Sequence, residues 1–117
     1  MAGETALETL KKLEENQQQI AGMLPELMKS FKSVHEAALA DGALTSREKV
    51  LIGLGIAVAK QCHYCITRYV KAAVDLNIGL QEIMEACGVA MLMNGGPSVA
   101  YTSVVLDTYN ELTKNRG

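Results

Sequence analysis

Two thiols three residues apart, in Cys62-His63-Tyr64-Cys65, are the groups in this chain best suited to chemistry. A disulfide needs Cβ atoms about 3.8 Å apart, whereas positions i and i+3 inside a regular helix lie about 5–6 Å apart. The first cysteine must therefore relax at a helix edge. An N-cap position for Cys62 allows this, and it also places the sulfur where backbone N–H groups and the helix dipole favour a thiolate. Cys65 and Tyr69 follow at i+3 and i+7, so the three residues share one helix face, with Arg68 and Lys60 near enough to add positive potential. The chemistry that fits is thiol oxidation and thiol–disulfide exchange, which needs no cofactor.

Other readings of these residues compete. Cys-x-x-Cys is also half of a structural zinc site, but neither Cys87 nor His35 supplies a second ligand pair, so no metal is expected. Cys87, inside an apolar helical stripe, reads as an inert core cysteine. His63 would be exposed at the helix start, where it can shuttle protons or stand by. His35, among apolar residues, reads mainly as a packing histidine. Glu48 either caps a helix or accepts a proton. Tyr69 can hydrogen-bond a thiolate, but a phenol with a reference pKa near 10 is a poor base at neutral pH, so its default role is packing.

The elements that must position these groups read as helices throughout. Leu7, Leu10, Leu13 and Ile20 recur near helical spacing and give a first amphipathic helix ending near Gly22. Pro25 suits the first turn of a second, with Leu27, Met28, Phe31, Val34 and Ala38 on one side and a stop at Asp41-Gly42. Thr45-Ser46-Arg47-Glu48 is a capping box opening a third. A break near Lys60-Gln61 starts the fourth, which runs through Tyr69 and Ala73 to about Leu76, closed by Asn77 and Gly79. A fifth carries Ile83 to Asn94, Gly95-Gly96-Pro97 ends it, and a sixth runs from about Ser98 to Leu112. The expectation is an all-α single-domain bundle of about six helices spanning 1–117.

Composition narrows the function classes. The chain has 117 residues, 49% hydrophobic, with one Phe and no Trp, so its interior is built from Leu, Ile, Val, Ala and Met. A net charge of -2 without clustered Lys and Arg offers no footprint for nucleic acid. The acidic, polar stretch Met1 to Glu15 lacks the form of a secretory signal. The run Val50 to Ala59 is about half the roughly 20 residues needed to span a membrane, so no membrane partner is expected. Three cysteines make no disulfide framework; a cytoplasmic location is expected, where a close pair points to redox use or metal.

The order Gly42-Ala43-Leu44-Thr45-Ser46-Arg47-Glu48-Lys49, Leu51-Ile52-Gly53-Leu54, the Cys pair with Ile66, and Glu82-Ile83-Met84-Glu85-Ala86 resembles the carboxymuconolactone decarboxylase family in its alkylhydroperoxidase D-like branch. The match covers about residues 31 to 100. What the resemblance implies is an all-α fold, assembly as dimers, trimers or hexamers, and a Cys pair that reduces hydroperoxides or disulfides and is recharged by a reductant protein or small thiol. It implies Cys65 as the attacking thiolate and Cys62 as its resolving partner. The chain departs from the branch at two places: Tyr69 stands where a His is usual, and Val50 where a Glu is usual. Glu48 and His63 are the candidate substitutes for that proton relay. The departures imply weaker peroxidase activity than the branch norm and leave open a pure dithiol–disulfide exchange role, a lactone decarboxylase, or a non-catalytic oligomeric member. The glycines of Gly53-Leu54-Gly55 should let a neighbouring helix approach closely, and the apolar mid-section suggests a homo-oligomer.

Overall fold

The computed structural model describes residues 5–114, in which six helices follow one another: α1 (Ala6–Met23), α2 (Pro25–Leu39), α3 (Ser46–Ala59), α4 (His63–Asp75), α5 (Leu80–Asn94) and α6 (Gly96–Thr113). No strand occurs among the described residues. Residues 1–4 of the polar N-terminal stretch lie outside them.

The helix ends follow from local chemistry. α1 and α3 each open on a capping box, Thr5 with Glu8 and Thr45 with Glu48; in both, the threonine hydroxyl accepts from the amide three residues on. α3 and α4 close in the same way. After α3, the Gln61 amide donates to the Val58 carbonyl at 3.0 Å and the Cys62 amide to the Ala57 carbonyl at 3.1 Å; after α4, Asn77 donates to Val74 at 3.0 Å and Ile78 to Ala73 at 2.9 Å. This is the Schellman pattern, which places one residue in the left-handed region. Here those residues are Gln61 (φ 57°) and Asn77 (φ 58°), neither of them glycine. Gly95 (φ 75°) turns the chain between α5 and α6, and Pro97 falls in the first turn of α6.

The core lies where α3, α4, α5 and α6 meet, around Leu54, Val58, Ile66, Val70, Ile83, Cys87 and Val105, all fully buried. Close approach depends on small residues. A side chain at Gly53 would collide with the ring of Tyr69, and one at Gly55 would come within 3.4 Å of the Ala86 carbonyl. α1 is clasped to the far end of the chain: the Glu111 carboxylate accepts from the Ala6 amide at 2.9 Å and the Leu7 amide at 3.0 Å. It thereby satisfies two donors that a helix start leaves orphaned.

The apolar stripe of α2 does not enter the core: α2 has no buried residue, and Leu27, Phe31 and Val34 are 59%, 64% and 64% exposed. The stripe is a real helical face, but α2 joins α1 through the single residue Leu24 and lies outside the four-helix core.

Candidate functional site

The Schellman turn that ends α3 delivers Cys62 directly to the start of α4. Cys62 is the N-cap of α4, in extended backbone (φ -97°, ψ 98°), and its sulfur accepts from the Cys65 amide at 3.2 Å. Leaving the helix at this residue is what lets the two sulfurs meet. They form a disulfide, with Cα atoms 5.2 Å apart, inside the usual range of about 4.4–6.8 Å. Cys62 is half-buried and Cys65 is exposed.

Cys65 opens onto a groove of about 920 Å³ between α4 and the α1–α2 hairpin. Tyr64, Arg68 and Tyr69 line it from α4, Leu13, Gln17 and Ala21 from α1, and Met28, Phe31, Lys32, His35 and Glu36 from α2. The wall is held by the Arg68 guanidinium donating to the Gln17 side chain at 2.9 Å. Tyr69 is half-buried, its ring lodged against Gly53, and it lines the groove. The groove thus combines a largely apolar lining with the cations Lys29, Lys32 and Arg68.

Sequence-predicted residues separate into those brought together and those not. Cys62, Cys65 and Tyr69 are assembled, with Arg68 beside them. Lys60 does not line the groove. His63 was expected to be exposed; instead it is half-buried, its Nδ1 is sealed from solvent with no hydrogen-bond partner among the described residues, and its ring meets Tyr64 edge-on. Glu48 takes part in the capping box of α3. Its carboxylate accepts from the Thr45 amide at 2.8 Å and hydroxyl at 3.0 Å, and these bonds hold it below the ordinary carboxylate range. At a rise of 1.5 Å per residue it also sits about 17 Å along α3 from the thiol end. Val50 is buried in the core.

His35, read from sequence as a packing residue, is exposed and lines the thiol groove. The signal was its helical spacing from Met28 and Lys32, which share its face. Cys87 is fully buried, and burial pushes its thiol up against a smaller opposing effect of a hydrogen bond with Thr102. A second groove of about 650 Å³, mainly apolar with Glu82 and Glu85 in its lining, runs between α3 and α5 along Ile52, Ile56, Val89 and Met93, and no cysteine lines it. Among the described residues no three His, Cys, Asp or Glu side chains cluster to hold a metal, and no helix is long and apolar enough to cross a membrane.

Comparison with known proteins agrees with this architecture. Residues 25–107 match the model of the carboxymuconolactone decarboxylase family. An uncharacterized protein of the cox locus of Paracoccus denitrificans is 35% identical over 83 residues, 71% of this chain and 75% of its own length. An uncharacterized protein of Cupriavidus necator is 31% identical over 88 residues, 75% of this chain and 78% of its own. The crystal structure of a carboxymuconolactone decarboxylase family protein from Legionella pneumophila, in its apo form, superimposes with a TM-score of 0.90 at 35% identity, covering 92% of this chain and 96% of that one.

Proposed function

The chain belongs to the carboxymuconolactone decarboxylase family, and from that premise we propose that it is a thiol oxidoreductase of the alkylhydroperoxidase D-like type, reducing a hydroperoxide or a disulfide through Cys62 and Cys65. The observation that carries this reading is the disulfide at the start of α4, with its second sulfur opening onto a groove. In the reduced protein the Cys65 thiolate attacks the terminal oxygen of a hydroperoxide; the O–O bond breaks, giving an alcohol and a Cys65 sulfenic acid. The Cys62 thiol then attacks that sulfur and water leaves, so the two thiols pass two electrons to the O–O bond and are left oxidised as one disulfide. With a disulfide substrate, Cys65 forms a mixed disulfide that Cys62 resolves. A reductant protein or small dithiol returns both thiols, and a reducing compartment such as the cytoplasm suits that cycle.

The exposed position of Cys65 supports it as the attacking thiol and the half-buried Cys62 as the resolving one. The hydroperoxidase and exchange versions converge on the same Cys62–Cys65 disulfide and share its reduction. The apolar groove between α3 and α5 supports assembly with further copies of the chain, since exposed Ile52, Ile56, Val89 and Met93 form one contiguous patch.

Titrating free thiols in the reduced protein before and after one equivalent of an organic hydroperoxide, or of a low-molecular-weight disulfide, tests the reading. Two of the three thiols should disappear, and in Cys65→Ser no intramolecular disulfide should form. Three thiols persisting in the parent protein with both oxidants would remove the oxidoreductase assignment.

A further inference from the structure

The proposed reaction leaves one proton unprovided. When the Cys65 thiolate attacks oxygen or sulfur, the electron pair of the broken bond ends on the departing atom, which leaves as a costly anion unless an acid protonates it. Displacement of this kind is in line, so the departing atom lies on the far side of the substrate from the Cys65 sulfur. Any such acid must stand on the wall of the groove across from α4.

That wall is α2. Its titratable groups on the groove are Lys29, Lys32, His35 and Glu36; α4 contributes Tyr64, Arg68 and Tyr69 beside the cysteine, and the residues from α1 carry no titratable group. Of these side-chain types only an imidazole both holds and releases a proton readily near neutral pH. His35 shares a helix face with Met28 and Lys32, and being exposed it can recover its proton from solvent.

We propose that His35 is a catalytic acid that protonates the leaving group of the substrate while Cys65 attacks. With a hydroperoxide, the thiolate, R–O–OH and the imidazolium give the Cys65 sulfenic acid, R–OH and neutral imidazole. With a disulfide they give the Cys65 mixed disulfide, R–SH and neutral imidazole. The proposal rests on the thiol oxidoreductase reading and assigns the α1–α2 hairpin a chemical role in it.

The test is single-turnover kinetics of the fully reduced full-length chain with two uncharged disulfides. Dipyridyl disulfide releases a thione that needs no proton from the protein, whereas bis-hydroxyethyl disulfide releases a basic alkyl thiolate. In His35→Gln the alkyl disulfide should react about tenfold or more slowly, and the dipyridyl rate should hold within about twofold. In the parent protein the ratio of alkyl to dipyridyl rates should fall as pH rises, and in His35→Gln that ratio should be flat; taking the ratio cancels the ionisation of Cys65. Equal rates in variant and parent, or an equal fall with both probes, would overturn the role of His35 while leaving the thiol chemistry standing. Failure of the parent to react with either probe, with three thiols retained, would overturn both. Circular dichroism of the variant checks that this exposed substitution has left the helices intact.

Discussion

The ring of Tyr69 occupies the space that a side chain at Gly53 would fill: a Cβ built there would lie 3.0 Å from both Cδ1 and Cζ of the ring and closer still to Cε1. The glycine therefore lets α4 press its groove-facing tyrosine onto α3. Two opposing effects decide what Gly53→Ala does. Removing a mid-helix glycine stabilises by about 1 kcal/mol, whereas overpacking costs about 1–3 kcal/mol. The expected outcome is net destabilisation in urea unfolding. In a Tyr69→Ala background the obstacle is gone and the same substitution should become stabilising.

The capping box of α3 yields a second prediction. Thr45→Ala removes the acceptor for the Glu48 amide and should cost about 1 kcal/mol in chemical denaturation. Ser, which keeps the hydroxyl, should restore most of it.

Glu111 predicts a pH dependence. Partial burial pushes its carboxyl up, but the amides of Leu7 and Ala6, the Thr5 hydroxyl and the Lys114 charge together outweigh that and hold it below its ordinary value. The folded protein therefore binds this proton less tightly than the unfolded chain, so the clasp contributes fully above about pH 4.3 and fades as pH falls through the lower folded value. Glu111→Gln should lower Tm at pH 7 by an amount equivalent to less than about 1 kcal/mol after solvent screening. The gap between the two proteins should narrow on acidification; a gap that widens would contradict the assignment.

Thiol accessibility gives a fourth. After reduction, iodoacetamide should modify Cys65 first, Cys62 more slowly, and Cys87 only under denaturing conditions, as followed by mass spectrometry of peptides. Early labelling of Cys87 would mean that the α5–α6 packing opens readily.

The apolar patch gives a fifth. Val89→Glu places a charge in the groove between α3 and α5. If that face joins copies of the chain, the variant should shift toward monomer in sedimentation equilibrium at micromolar concentration while keeping its helical circular dichroism. An unchanged mass would exclude the face as an interface.

How far such features could be read from sequence depends on whether their cause is local. The Thr45 box, Pro25 at a helix start, the Gly95 turn and the placement of Cys62 outside the first turn of α4 all arise within a few residues, and each is where the sequence puts it. The equivalent box at Thr5 and Glu8 carries the same signature, but the leucine periodicity that marks the first helix does not itself point to its cap. What periodicity cannot supply is the partner of a face. The stripe of Leu27, Phe31 and Val34 is evident in the sequence, but nothing local says that it stays exposed outside the core, nor that α2 brings His35 to the cysteine groove. His63 failed for a related reason: a first-turn residue is exposed on an isolated helix, and only the packing around α4 closes over its Nδ1.

The bond from the Ala6 amide to Glu111 joins residues 105 positions apart. A ribosome must make every residue from Ala6 to Glu111 before this contact can close, whereas α3, α4 and α5 can collapse on neighbours already made. The hairpin that walls the cysteine groove would then settle last during synthesis and exchange its amide hydrogens first in the mature protein, so the wall facing Cys65 would also be the most readily unlatched part of the molecule.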